Sequence, residues 1–203
     1  MNKIITVGRE FGSGGRELGK RLADHLGFAY YDKEIVTEIA KRTRLDEGYL
    51  RQIIEQKSNF VHPITVGRTL HHTMGSDYMI RQYTAIYTEQ ANVLHEMAET
   101  SPCVIVGRCA DYILKDLSPI RLFVYADMEA KIARCRAKAD EHEHMSDRDL
   151  EKMIRRVDKN RAKYYRYYTG QIWGDRANYD LCVNTTDRPI KELAEVLAHL
   201  FSE

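Results

Sequence analysis

The sequence predicts a three-layer α/β fold in which helices cover both faces of a parallel sheet. Short apolar runs of strand length alternate along the chain with longer stretches whose apolar residues recur at helical spacing. Continuous apolar runs such as residues 103–106 indicate strands that are buried on both faces. Strands that alternate with helices favour crossover connections and therefore a parallel order. Because the 203 residues contain no linker or repeat, we expect residues 1–203 to form a single domain.

Starts and stops along the chain support each element in turn. The first strand is β-branched and ends at Gly8, and the helix that begins near Arg16 ends at Gly27, a residue that favours the left-handed end of a helix. The sequence Asp187-Arg188-Pro189 is a typical start for the last helix. Residues 57–77 show no sustained period. The predicted strands are residues 3–7, 28–31, 103–106, 122–125 and 181–183, and the further helices are residues 33–43, 45–56, 79–99, 127–139, 147–168 and 190–201.

Composition excludes several function classes. The net charge of +1, from 31 basic and 30 acidic side chains, gives no overall attraction for nucleic acid or an anionic membrane, so we expect neither partner. The N-terminus has no signal-peptide pattern, and no stretch approaches the roughly 20 apolar residues of a membrane helix. The four cysteines form no CxxC pair and are expected to be reduced in a cytoplasmic protein. The oligomeric state stays open.

A glycine-rich loop joins the first strand to the first helix. The segment reads ITVGREFGSGGREL and places four glycines within eight residues. Glycines let the backbone adopt positive φ and approach a phosphate closely, and successive N–H groups at a helix N-terminus then form an anion-binding hollow. A strand followed by such a loop and a helix is the context in which a glycine motif binds nucleotide phosphates. The predicted cofactor contacts are Gly12, Ser13, Gly14, Gly15, Arg16 and Glu17.

The loop departs from the strict GxxxxGK[ST] pattern at two chemically important positions. Gly15 stands where the phosphate-binding lysine belongs, and Glu17 stands where a threonine would contact magnesium. Arg16 or Arg9 would supply the missing cation, because guanidinium binds phosphate bidentately, and we favour Arg16 at the helix start. Glu17 would hold Mg²⁺ only through water.

Two other interpretations of the loop remain. A glycine-rich turn that only packs a helix against a sheet would share this composition. A GxGxxG dinucleotide motif that starts at Gly12 would need a third glycine at position 17, where the chain has Glu17.

Five segments together resemble the cytidylate kinases, most closely their divergent cytidylate kinase-like branch. They are ITVGREFGSGGRELGKRLADHLGF, CVIVGRCADYIL, RLFVYA, DKNRAKYY and YDLCVNTT, and the likeness covers nearly the whole length. The resemblance implies a P-loop kinase fold with a five-stranded parallel sheet, a substrate-side helical region at about 33–100 and a lid region at 134–176. It also implies ATP and Mg²⁺ as cofactors and a nucleoside monophosphate as acceptor, with CMP foremost.

The resemblance also implies substrate-binding residues, with two departures. Arg108 matches an arginine that binds the substrate phosphate, but the aspartate that follows it in the family is replaced by Cys109. Asp111, two residues further, is expected to take over that contact. Asp32 is what remains of the segment that contacts the base in the family.

Further matches fall in the lid region. In the intact DxNR motif, the family's aspartate, here Asp158, reads the cytosine or ribose side of the substrate, and its arginine, here Arg161, holds phosphate. Arg134 matches one arginine of a lid pair. Arg155 and Arg156 lie close to a further family arginine but out of register, and a solvated charged helix face is the alternative interpretation of both. The predicted catalytic residues are Arg16, Arg134 and Arg161.

Two functions of different classes are compatible with these residues. The first is an ATP-dependent phosphotransferase that acts on a nucleoside monophosphate or another small acceptor. The second is a nucleotide-binding regulatory module that has lost catalysis, and the absent lysine and threonine favour it. No metal site is predicted, because the run Glu141-His142-Glu143-His144 alternates its side chains on a polar loop and has no nearby Cys or His partner.

Overall fold

The computed structural model of the chain describes residues 2–56, 73–138 and 145–202. Most of the segment without a sustained period, residues 57–72, lies outside this part of the chain. The run Glu141-His142-Glu143-His144 lies outside it as well.

Five parallel strands form one sheet in the order β2-β3-β1-β4-β5. In the central strand, Val7 lies opposite Val106 on one neighbour and opposite Leu122 on the other. The predicted α/β class and the five-stranded parallel sheet are therefore confirmed. The strands are β1 (Ile4–Arg9), β2 (Ala29–Tyr31), β3 (Cys103–Val106), β4 (Ile120–Tyr125) and β5 (Leu181–Asn184).

Eight α-helices in the described residues surround the sheet. A π-helical turn, Gln52–Gln56, continues the third helix, and short 3₁₀ turns lie at Lys115–Leu117 and Arg176–Asn178. The helices are α1 (Gly15–Leu26), α2 (Glu34–Thr43), α3 (Glu47–Arg51), α4 (Thr73–Thr100), α5 (Ala110–Ile113), α6 (Met128–Lys138), α7 (Asp147–Thr169) and α8 (Ile190–Ser202).

Alternate side chains of the central strands enter two separate apolar cores. Ile5 and Val7 pack with α1 and α8 on one face, whereas Ile4 packs on the other face with α2 and α4. Burial on both faces is what makes these strands continuously apolar in sequence. Among the described helices, none combines the length and the apolar character that a membrane crossing requires.

The strand order brings the ends of β1 and β3 together. Both strands are parallel neighbours, so the loop after Arg9 and the residues after Val106 emerge at the same sheet edge. This edge, at the carboxyl ends of the strands, is where open parallel sheets bind ligands. The division into a substrate-side region at 33–100 and a lid region at 134–176 stays a prediction.

Candidate functional site

The glycine-rich loop between β1 and α1 has the backbone geometry that its glycines allow. Gly12 and Gly14 have φ of +76° and +82°, in the left-handed region that side-chain-bearing residues rarely adopt. Both positions are also closely packed. A side chain at Gly12 would meet the backbone of Lys131, and one at Gly14 would meet Ile190. Glycine is therefore required at both positions, because the backbone has a positive φ and because there is no room for a side chain.

Some of the loop N–H groups are bonded internally and others are not. The Phe11 N–H donates to Oδ1 of Asp158 at 2.7 Å, which ties the loop to α7. The Ser13 N–H donates to the Glu10 carbonyl at 3.4 Å, and the Gly15 N–H donates to Oγ of Ser13 at 3.3 Å. Four further N–H groups make no hydrogen bond to the described part of the chain, and they belong to Gly12, Gly14, Arg16 and Glu17.

Arg9 occupies the space that a side chain at Gly15, the position of the missing lysine, would fill. A Cβ atom at Gly15 would lie 2.5 Å from Cβ of Arg9 and 3.1 Å from Cβ of Val124. Glycine is therefore needed at position 15, because the stem of Arg9 passes against it. The guanidinium of Arg9 continues to Gly107, where an added side chain would collide with it. Sequence spacing gave no signal of this packing.

Arg16 pairs with Asp32, the residue that directly follows β2. Nε of Arg16 lies 2.5 Å from Oδ2 of Asp32, whose side chain is only 4% exposed. The Arg16 side chain is about half exposed, at 54%. Nη2 of Arg9 lies 4.0 Å from Oδ1 of the same aspartate. The structure thus directs Arg16 to Asp32 and brings it beside Arg9.

Three arginines meet at a small cavity beside the loop. The cavity has a volume of about 50 Å³, and Arg9, Arg108 and Arg161 all line it. Burial, followed by the nearby charges of Arg161 and Arg108, lowers the pKa of Arg9 to about 9. Because like charges held together are unfavourable, the cavity favours an anion. Four aromatic side chains also line the cavity, namely Tyr164, Tyr165, Trp173 and Tyr179.

The turn after β3 presents Arg108 and Asp111 to this cavity. Arg108 and Cys109 have φ of +61° and +54°, and the Arg108 carbonyl accepts a hydrogen bond from Nε2 of Gln90 at 2.9 Å. Asp111 also lines the cavity, and its Oδ2 accepts a hydrogen bond from the Tyr165 hydroxyl at 2.6 Å. Burial raises the pKa of Asp111, so its protonated form is favoured there.

Asp158 and Arg161 lie between the loop and the cavity. Nη1 of Arg161 donates to the Arg9 carbonyl at 3.1 Å and lies 3.6 Å from Oδ1 of Asp158. Burial raises the pKa of Asp158, whose carboxylate accepts the loop N–H of Phe11. The structure thus brings Arg161 to the same cavity as Arg108 and places Asp158 on the loop side.

The helix α6 presents two cations to the loop. Nζ of Lys131 lies 2.5 Å from Oε2 of Glu10 and 3.6 Å from Oδ2 of Asp158. Arg134 donates to the Thr185 carbonyl, and its Nη1 is buried without a hydrogen bond to the described chain. The sequence prediction named Arg134 but missed Lys131, although the two are three residues apart and share a helix face.

The residues around the loop suit the phosphates of a nucleotide better than they suit a magnesium ion. Unbonded loop N–H groups and the buried Nη1 of Arg134 are donors that suit nucleotide phosphates. Glu17 suits Mg²⁺ poorly, because its carboxylate lies 3.0 Å from Nε of Arg21 and 3.4 Å from Nζ of Lys138. Within the described residues, no group of three or more His, Cys, Asp or Glu side chains is placed to hold a metal ion.

Arg155 and Arg156 lie away from these groups. Both side chains are exposed, and Nη2 of Arg155 lies 2.7 Å from Oε1 of Glu151, one turn earlier on α7. They occupy the solvated face of the helix.

Comparisons with known proteins agree with this architecture. A sequence model described as the cytidylate kinase-like family matches residues 4–187. A solved structure of an uncharacterized protein from Eubacterium ventriosum is 26% identical, with 100% of this chain and 99% of that chain covered and a TM-score of 0.70.

Two shikimate kinases share the fold at lower identity. The enzyme from Bacteroides thetaiotaomicron is 19% identical, with a TM-score of 0.57 and 99% of each chain covered. The enzyme from Acinetobacter baumannii, solved with shikimate, is 18% identical, with a TM-score of 0.52 and 98% of this chain and 92% of that chain covered. Among curated proteins, no sequence matches the chain.

Proposed function

This chain belongs to the cytidylate kinase-like family, and from that membership we propose that it transfers the terminal phosphoryl group of ATP to a nucleoside monophosphate. CMP is the leading acceptor, because the Asp158 and Arg161 pair matches the family's substrate motif. Family and fold together identify a P-loop kinase. The acceptor and the residue roles below are part of the proposal.

The arginine cluster carries this proposal. Arg9, Arg108 and Arg161 bring three positive charges to one cavity, and the only acid among the described lining residues is Asp111. Burial raises the pKa of that aspartate and so reduces its capacity to balance the arginines. A phosphate dianion would offset the excess charge, and guanidinium groups bind its oxygens bidentately. The monophosphate of the acceptor supplies such a group.

The phosphate loop would hold the donor on the other side of Arg9. The side chain of Arg9 enters the acceptor cavity, while the backbone that follows it forms the loop. One strand end therefore serves both sites. Phosphoryl transfer needs two phosphates held in line and cations to neutralise the shifting charge, and it needs little covalent help from the protein.

The proposed donor cofactor is ATP with Mg²⁺. The magnesium ion would enter on the nucleotide phosphates and neutralise part of their charge. Arg134 lies beside the loop at Gly14, and its buried Nη1 is a donor that ATP phosphate would satisfy. Glu17 is already paired with two cations, so we assign it no step.

An ADP-release assay over a panel of acceptors tests the proposal. Purified protein with ATP and Mg²⁺ is supplied in turn with CMP, dCMP, UMP, AMP, GMP and shikimate. We expect turnover with a pyrimidine monophosphate and none with shikimate, because three arginines suit a phosphate dianion better than a carboxylate. Turnover with shikimate alone would contradict the proposed acceptor class.

A pair of arginines on α7 provides the matched comparison. Arg161→Ala removes a charge that lines the cavity and is expected to raise the KM for the acceptor by about tenfold or more, the effect of losing one charge-assisted contact. Arg155→Ala removes an exposed arginine of the same helix and is expected to change neither kcat nor KM.

The regulatory module is the second candidate function. The closed lysine position at Gly15 favours it, because that position normally supplies the cation for transfer. Its signature is ATP binding in calorimetry together with no ADP release for any acceptor of the panel.

A further inference from the structure

We propose that Lys131 of α6 supplies the cation that the loop lacks at Gly15, by contacting the phosphoryl group that is transferred. This assignment rests on the proposed phosphotransferase function. It concerns a residue outside the loop and outside the motifs that carry the family resemblance.

The packing of α6 on the loop holds Lys131 in place. A Cβ atom at Gly12 would lie 3.0 Å from both the Cβ and the carbonyl oxygen of Lys131. The helix backbone thus touches the loop directly at Gly12. Lys131 is also buried, with only 5% of its surface exposed. A buried lysine against a glycine loop has a fixed ammonium position, unlike a surface lysine.

The ammonium group lies at the junction of the donor and acceptor sides. Glu10 belongs to the loop, and its Oε2 lies 2.5 Å from Nζ of Lys131. Asp158 belongs to α7 beside the acceptor cavity, and its Oδ2 lies 3.6 Å from the same Nζ. A phosphoryl group that moves from loop to cavity passes this junction. An ammonium has three N–H donors, so two carboxylates leave one for a phosphate oxygen.

The other candidate cations lie at different places around the loop. Arg16 is held 2.5 Å from Asp32. The guanidinium of Arg9 lies in the acceptor cavity, and Arg134 donates to the Thr185 carbonyl near Gly14. Lys131 pairs with a carboxylate of the loop itself, that of Glu10, and also lies beside Asp158 of α7.

The transfer step balances without a change in the charge of Lys131. An oxygen of the acceptor monophosphate forms a bond to the γ-phosphorus, and the bond from that phosphorus to the bridging oxygen of ADP breaks. The electron pair leaves with ADP, so negative charge shifts from the transferred group toward the β-phosphate. A protonated Lys131 stabilises that shift by its charge alone.

Lysine substitutions test the assignment. Lys131→Met is expected to lower kcat by about 100-fold or more at saturating ATP, the scale of losing one electrostatic stabiliser. Lys131→Arg keeps the charge and should retain at least about a tenth of the activity. Lys152→Met, at an exposed lysine paired with Asp149, should leave kcat unchanged. Normal turnover by Lys131→Met would overturn the proposal.

Calorimetric titration provides a readout that needs no turnover. If Lys131 contacts the terminal phosphoryl group, Lys131→Met should weaken ATP binding by about tenfold and ADP binding by less than about threefold. An equal loss for ATP and ADP would contradict the contact. A parent that binds ATP but phosphorylates none of the acceptors contradicts the proposed function, and the ATP and ADP comparison still decides the role of Lys131.

A double variant distinguishes a catalytic role of Lys131 from a role that is limited to neutralising the charge of Glu10. Lys131→Met leaves Glu10 without its cation, and this alone lowers stability. Adding Glu10→Gln removes that charge and should recover most of the lost Tm. We expect kcat of the double variant to stay low, compared with Glu10→Gln alone. Recovery of kcat together with Tm would show that Lys131 only balances the carboxylates.

Discussion

At the scale of single residues, Arg9 occupies the space that a side chain at position 15 of the phosphate loop would need. Its stem fills the space beside Gly15, and its guanidinium fills the space beside Gly107. Gly15 is therefore part of the packing around Arg9, in addition to being a departure from a motif. A substitution that restores the motif would conflict with that packing.

Gly15→Lys, which restores the usual loop lysine, is expected to destabilise the protein and to leave kcat no higher. The new Cβ would lie 2.5 Å from Cβ of Arg9, and overpacking of this kind costs about 1–3 kcal/mol. Thermal unfolding should show a lower Tm. Arg9→Ala combined with Gly15→Lys opens the space and should recover part of the loss. A Gly15→Lys protein with parental Tm would show that the loop can repack.

Asp111→Asn is expected to stabilise the protein at pH 8. Burial raises the pKa of Asp111 above its ordinary value of about 3.9, so the folded state holds its proton more tightly than the unfolded state. The stability that it contributes is present at low pH and is lost as pH rises above about 4. An asparagine has no charge to bury, and its carbonyl still accepts from Tyr165. We expect Tm to rise by about 2–4 °C at pH 8 and by less at pH 4.

Asp180→Asn is the control, because it is expected to change Tm at pH 8 in the opposite direction. A side-chain hydrogen bond from Arg121 lowers the pKa of Asp180, so its contribution is present at neutral pH and is lost as pH falls. The substitution should lower Tm at pH 8. Equal effects of both substitutions at pH 8 would contradict the burial argument for Asp111.

At the scale of elements, two neighbouring elements hold the loop in place. The β5 strand ends before Thr185, whose Oγ1 donates to the Ser13 carbonyl at 2.7 Å. The α7 helix contributes Asp158, which accepts the N–H of Phe11. Loop shape therefore depends on residues that lie 147 and 172 positions away in sequence.

Thr185→Val is expected to lower both Tm and ATP affinity. Thr185 is fully buried, and its removal leaves the Ser13 carbonyl without its donor, at a cost of about 1–3 kcal/mol. Thr185→Ser keeps the hydroxyl and should bind ATP within about threefold of the parent. Calorimetry with ATP measures both variants. Equal ATP affinity for the valine and serine variants would show that this hydrogen bond does not shape the loop.

The elements were more predictable from the sequence than the contacts between them. Runs of apolar and β-branched residues predicted all five strands. The signal is most direct in β3, because all four of its residues are buried. The pairing of Arg16 with Asp32 leaves no such signature, since the two residues lie 16 positions apart on different elements. The contact of Lys131 with Glu10 depends on where α6 crosses the loop. Spacing along the chain does not contain that information.

At the scale of the whole molecule, the arginine cluster makes stability depend on anions. Phosphate is expected to raise Tm relative to chloride at equal ionic strength, because a bound dianion relieves the repulsion among Arg9, Arg108 and Arg161. At about 100 times the dissociation constant, binding adds about 2.7 kcal/mol, which corresponds to about 5 °C or more. Arg161→Ala should lose most of this rise, whereas Arg155→Ala should keep it. A shift of the same size in Arg161→Ala would place the anion elsewhere.

The hydrogen bond from Phe11 to Asp158 has a consequence for the energetics of two ligands. The carboxylate of Asp158 accepts a loop N–H, and in the proposed function the same residue reads the acceptor. An acceptor that draws Asp158 toward itself would then release that N–H to the donor phosphates. Each ligand then favours the arrangement that the other needs, which is positive cooperativity. Thermodynamic reciprocity requires that the factor by which the acceptor tightens ATP binding equals the factor by which ATP tightens acceptor binding. In Asp158→Asn, the amide is a weaker acceptor for the Phe11 N–H. The factor should therefore fall toward one, both when ATP binding is measured with and without acceptor and when acceptor binding is measured with and without ATP.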